Sequence, residues 1–147
     1  PLKEWDIRIN YGIKTGFNDA FIISGEKKDE LIAADPKSAQ IIRPILRGRD
    51  IKRYSYNFAD LWVIATFPSL AYDIEKYPAV KKHLLSFGME RLEQTGKEYA
   101  IDGKKFKARK KTNNKWFETQ DSISYWDDFS KQKIIWGEIL CLYGRFK

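Results

Sequence analysis

Sulfur and imidazole are scarce in this 147-residue chain: Cys141 is the sole cysteine, His83 the sole histidine and Met89 the sole methionine. One cysteine excludes an internal disulfide and fits a reducing, cytoplasmic setting. One cysteine and one histidine are too few for a structural zinc site, and they stand far apart in sequence. The ordinary reading of the pair is a buried thiol and an imidazole on a helix surface. Long apolar runs are also missing. The best, Leu61-Trp62-Val63-Ile64-Ala65, falls far short of the ~20 residues of a spanning helix, so no membrane partner is expected. Leu2-Lys3-Glu4-Trp5-Asp6 has none of the character of a signal peptide. The chain opens on Pro1, and with Met89 as its only methionine it reads as a piece of a larger protein.

Several catalytic signatures are absent as well. A P-loop needs spaced glycines followed by Lys-Ser/Thr, so that N–H groups and an ammonium surround phosphates. Gly12-Ile13-Lys14-Thr15-Gly16 has neither the spacing nor the ending. There is no G-x-G-x-x-G, and no Pro-Pro from which to build the Asn/Asp-Pro-Pro-aromatic element that grips a flipped adenine. Glu26-Lys27-Lys28 with Asp19 upstream offers an E-x-K of the kind metal-dependent nucleases carry. However, Ser24-Gly25 sets Glu26 at a turn, where metal ligands on neighbouring strands are required. The adjacent carboxylates Asp127 and Asp128 point apart on an extended chain and suit a turn or cap better than acid–base work.

What the sequence has in excess is positive charge, +7 overall, and it is concentrated. Between Lys97 and Lys115 eight basic residues face only Glu98 and Asp102. Arg43, Arg47, Arg49, Lys52 and Arg53 face only Asp50. The remainder is slightly acidic, as expected where cations are gathered for a polyanionic partner. With 43% hydrophobic and 32% charged residues, the composition is that of one ordinary globular domain.

Along the chain, Ile7, Ile9 and Tyr11 alternate with polar residues as a half-exposed strand does. Ala20-Phe21-Ile22-Ile23 reads as a buried strand. A short helix through Leu31-Ile32 stops at Asp35, and Asp35-Pro36 starts another that ends before Pro44. Leu61 to Phe67 is a candidate central strand. Pro78 opens a longer helix with Val80, Leu84, Leu85, Met89 and Leu92 facing a core. Ile101-Asp102-Gly103-Lys104 makes a turn, Trp116-Phe117 seeds a short helix, and Lys133-Ile134-Ile135-Trp136 forms a late strand. The expected fold is α+β: a single mixed domain spanning 1–147, with a twisted, largely antiparallel sheet and several helices.

The stretch from Gly12 to Ile23 resembles the opening of the TaqI-like C-terminal specificity domains of type II restriction-modification enzymes, a G-I-x-T-G-x-N-x-A-F element. In that family a D-P-x-S…I-I-x-P-x-L-x-G-x-D-I-x-R-Y segment follows. Here Asp35, Pro36, Ser38, Ile41, Ile42, Pro44, Leu46, Gly48, Asp50, Ile51, Arg53 and Tyr54 occur in that order. Leu61-Trp62-Val63-Ile64, Tyr77-Pro78, Trp116-Phe117-Glu118 and Lys133-Ile134-Ile135 are similar to later family elements, although the proline often preceding that lysine is missing. The resemblance implies a target-recognition module for double-stranded DNA, without catalysis or cofactor of its own. It would belong to a parent whose methyltransferase domain uses S-adenosylmethionine and whose nuclease domain, where fused, uses magnesium. Basic side chains would grip phosphates, and side chains with paired donors and acceptors would read base edges.

Within that reading Lys14, Thr15 and Asn18 face phosphate or bond within their own turn. Arg47, Arg49 and Arg53 clamp backbone or pair with guanine. Lys104, Lys105, Lys107, Arg109, Lys110, Lys111, Asn113, Asn114 and Lys115 form the segment that reads sequence, with the asparagines suited to adenine. Two rivals stay open: an RNA- or single-strand-binding module, from the 15% aromatic content, and a small metal-dependent nuclease.

Overall fold

A computed structural model describes residues 8, 10–101 and 103–135. At the first turn, the carbonyl of Phe17 accepts from the N–H groups of Ala20 and Phe21, at 3.2 Å each. This closes a single helical turn, α1 (Asn18–Phe21), which leads straight into strand β1 (Ile22–Ser24). The expected strand over residues 20–23 therefore starts two residues late. An apolar run this short does not distinguish a buried turn from a buried strand, and Asn18 and Asp19 favour the helical start.

Ser24 then caps α2 (Gly25–Ala34), its hydroxyl accepting from the Lys27 N–H at 3.3 Å. The helix ends where Asp35 turns extended. The Asp35 carboxylate accepts from the Lys37 N–H at 3.2 Å and from the Ser38 hydroxyl at 3.2 Å, starting the expected second helix. That element is a 3-10 helix, Pro36–Gln40, because Ile41 must already turn into strand β2 (Ile42–Pro44). Strand β5 (Leu61–Ile64) lies between β1 and β2, antiparallel to both, with Ile22 opposite Val63 and Ile42 opposite Ile64. Pro44 is tolerated because β2 is an edge strand.

The central strand was expected to run to Phe67 and stops at Ile64. Beyond it the backbone changes partner: the Thr119 N–H donates to the Thr66 carbonyl at 3.0 Å, and the Thr66 hydroxyl donates to the Phe117 carbonyl at 2.5 Å. Trp116 and Phe117 accordingly lie in a turn and seed no helix.

The long helix after Pro78 is two pieces, α3 (Pro78–Leu85) and α4 (Met89–Leu92), divided at Gly88 with φ +87°. Of the apolar stripe, Val80, Leu84 and Leu92 are buried, while Leu85 and Met89 are partly exposed. His83 lies half inside, its Nε2 3.1 Å from the Ala20 carbonyl, and burial lowers its pKa. The carbonyl accepts, so Nε2 carries the proton of the neutral ring. One apolar cluster is built from α1, α2, α3 and the main sheet around Phe21, Ile41, Ile64 and Leu84. A second gathers Ala65, Phe67 and Ile123.

Two hairpins form separate sheets: β3 (Ile51–Lys52) with β4 (Ser55–Tyr56), and β6 (Glu98–Ile101) with β7 (Lys104–Lys107). All strand pairs are antiparallel and the fold is α+β as expected. Of the two terminal strands, Tyr11 and Lys133–Ile135 take no strand conformation. Ile7, Ile9, Trp136 and Cys141 lie outside the described residues. No helix among the described residues is long and apolar enough to cross a membrane.

Candidate nucleic-acid interface

The residues expected at DNA divide into an interior set and a surface set. Arg109 heads the first: it is 4% exposed. Its guanidinium donates to the carbonyls of Leu92 and Trp116 at 3.1 Å each, of Thr15 at 2.7 Å and of Glu118 at 2.6 Å. The group lies 4.9 Å above the Phe21 ring, and Nε, also buried, has no hydrogen-bond partner among the described residues. Burial without a carboxylate partner lowers its pKa to about 10, so it remains a cation at neutral pH. This corrects the reading of Arg109 as a DNA contact: it is buried, and its Nη1 and Nη2 donors are spent on backbone carbonyls. It is the joint between the first loop, the end of α4 and the Trp116–Glu118 turn.

Thr15 is likewise interior. Its hydroxyl donates to Asn18 Oδ1 at 2.7 Å and accepts from the Phe17 N–H at 3.2 Å, so the local-turn reading of these two residues holds. Gly16 has φ +77°, and a Cβ there would lie 3.1 Å from Arg109 Nε and from Gln120. The first motif is thus shaped to let Arg109 through. Asn114 spends both amide hydrogens on the carbonyls of Thr119 and Gln120, at 3.0 and 2.9 Å, leaving no donor for adenine.

Arg47 is half-buried and held by Asp50, with Nε–Oδ2 at 2.9 Å and Nη2–Oδ1 at 2.8 Å. The Arg47 N–H also donates to Asp50 at 2.9 Å. These bonds from the side chain and backbone of Arg47 hold the Asp50 carboxyl down at about 2. A fork closed on its own carboxylate does not grip guanine, so Arg47 serves the loop.

On the surface are Lys14, Arg49, Arg53, Lys105, Lys107, Lys110, Lys111, Asn113 and Lys115. Among the described residues none of these lysines and arginines forms an ion pair. In the β6–β7 register, Glu98 faces Lys107, Ala100 faces Lys105 and Ile101 faces Lys104, so Lys105 and Lys107 share one face. The other face carries Tyr99 stacked on Phe106, centroids 5.5 Å apart. Gly103 at φ +75° makes the turn expected between the strands. After Lys107 the chain dips through Ala108 and Arg109 into the interior and re-emerges at Lys110. Lys14 and Asn114, distant in sequence, line one open pocket of about 490 Å³ with Tyr11, Gln120, Asp121 and Tyr125.

In the nuclease alternative, Asp19 sits on α1 and Glu26 on the first turn of α2, neither on a strand. Lys28 pairs with Asp29 and lies over Trp62. Asp128 sits in a 3-10 helix, Trp126–Ser130, and accepts from Lys131 at 2.7 Å and from Asn10 at 2.9 Å.

Sequence reasoning missed exposed aromatics. Every residue from 52 to 60 is exposed, among them Tyr54, Tyr56 and Phe58. The available signal was three rings inside a stretch with cations and no apolar periodicity. No protein-family model, curated protein or solved structure matches this chain.

Proposed function

We propose that the chain is a target-recognition module that binds duplex DNA and reads its sequence. In this reading it serves a TaqI-like restriction-modification adenine methyltransferase, with or without an endonuclease. The methyltransferase domain is its partner, and S-adenosylmethionine and magnesium belong to the parent's catalytic domains. The observation that carries the reading is the set of exposed cations, without ion pairs among the described residues, on two segments, beside an interior in which the described buried polar side-chain atoms other than Arg109 Nε are hydrogen-bonded. Repulsion among like charges is unfavourable unless a polyanion neutralises them. Lys105, Lys107, Lys110, Lys111 and Lys115 supply phosphate contacts, and Asn113, exposed and without a side-chain hydrogen bond among the described residues, is the adenine-reading candidate that remains.

A second reading has one observation in its favour: the bare rings of Tyr54 and Tyr56 suit stacking on unpaired bases of RNA or single-stranded DNA. Selection of bound duplexes from a random-sequence library separates the two. Enrichment of one short motif is the expected result, and recovery of random duplex, or preference for single strands, sinks the first reading. Incubation with S-adenosylmethionine or magnesium should yield neither methylation nor cleavage. Cleavage abolished by Glu26→Ala would instead establish the nuclease alternative.

A further inference from the structure

The β3–β4 hairpin is pinned at its base and bare at its tip. At the base the Arg47–Asp50 pair locks the incoming loop, and the Asn57 N–H donates to the Asp50 carbonyl at 2.8 Å. Lys52 pairs in register with Ser55, leaving Arg53 and Tyr54 as the turn. Tyr54 is 92% exposed, with φ +67°. That left-handed conformation disfavours any residue with a β-carbon and suits glycine. A tyrosine here is therefore strained, and its ring is left almost wholly exposed. The Arg53 guanidinium lies 5.1 Å from the Tyr54 ring, and Lys52 rests on the Arg49 carbonyl at 3.1 Å. Since Arg47 and Asp50 neutralise each other, the hairpin and the turn leading into it carry the charges of Arg49, Lys52 and Arg53, with Arg53 beside the exposed ring.

We infer that Tyr54 is a DNA-contacting wedge: the hairpin enters a groove of the bound duplex, the Tyr54 ring packs on nucleotides there, and Arg49, Lys52 and Arg53 hold the flanking phosphates. The inference rests on the duplex-binding reading above. Charge complementarity selects nucleic acid over an apolar partner, because Arg53 lies beside the ring and Lys52 and Arg49 are on the same exposed segment. The rigid base lets the tip keep its shape on contact.

The test uses Tyr54→Gly in the full chain, with Tyr54→Phe as the ring-preserving control. Glycine relieves the left-handed strain, so Tm should be unchanged or higher. Duplex affinity should nevertheless fall at least about 5-fold, the low end for losing an aromatic stack on a base. The slope of log K against log salt should stay put, since no cation is lost. Tyr54→Phe should retain affinity. By contrast, Arg53→Ala with Lys52→Ala should flatten the slope by about 1.8, at about 0.9 per phosphate. Unchanged affinity of Tyr54→Gly, or a loss matched by a fall in Tm, overturns the wedge and leaves the duplex reading intact. Failure of the unaltered chain to bind duplex overturns both, and stronger binding to single strands transfers the ring to the rival reading.

Discussion

Arg109 separates a structural from a recognition role at a single residue. Its loss would leave the Leu92 and Trp116 carbonyls without the donors described for them, while Thr15 keeps the Gln120 N–H and Glu118 keeps the Gln94 amide. Each carbonyl left unpaired when buried costs about 1–3 kcal/mol. Arg109→Ala should therefore lower unfolding free energy by at least about 2 kcal/mol in urea titration. A change under about 0.5 kcal/mol together with weaker DNA binding would restore it to the interface. The two glycines of the first motif look alike in sequence and are not alike in space. Gly16→Ala meets both a left-handed φ and Arg109 Nε at 3.1 Å, whereas a Cβ on Gly12 meets nothing within 4 Å. The first should cost about 1–3 kcal/mol and the second under about 0.5.

Asp50 carries a pH signature. Its folded pKa, about 2, is below the ordinary 3.8, so its contribution to stability is complete above pH 3.8 and disappears as pH falls towards 2. The Tm gap between the unaltered chain and Asp50→Asn should close over that window. A gap constant from pH 6 to pH 2 would refute the pair's role.

At the scale of elements, the legible features were those with local chemistry. Asp35 and Pro78 mark helix starts because caps and proline act within a turn, and Gly103 marks a hairpin for the same reason; Ser24, read as a turn, instead caps α2. The early end of β5 was illegible because it answers to distant partners, whereas the α3–α4 division falls at Gly88, a local signal that the continuous apolar stripe overrode. Thr66 leaves the sheet for residues about fifty positions later. The site was legible only in part. Charge density found both basic segments, but burial decides which cations are free, and nothing in a run of lysines and arginines says that Arg109 points inward. The β6–β7 hairpin gives a direct element-scale test. Lys105→Ala with Lys107→Ala should weaken binding to every duplex alike and flatten the salt slope by about 1.8. Asn113→Ala should cost the preferred site about 1–3 kcal/mol and spare scrambled duplex. Uniform losses from both substitutions would place the reader elsewhere.

For the whole molecule, two apolar clusters and one central antiparallel sheet hold an interior whose polar groups are nearly all satisfied, while two charged hairpins stand outside it. A module that only anchors and reads needs a rigid body and projecting contacts, with no enclosed reaction chamber. On the proposed function, this charge serves duplex DNA. The most direct measurement is the equilibrium constant for a mixed-sequence duplex, and for its separated strands, across about 50–200 mM salt. Engagement of about five phosphates predicts a log–log slope of about −4 or steeper, with duplex bound more tightly than either strand. A slope near zero, or tighter binding of a single strand, would contradict it.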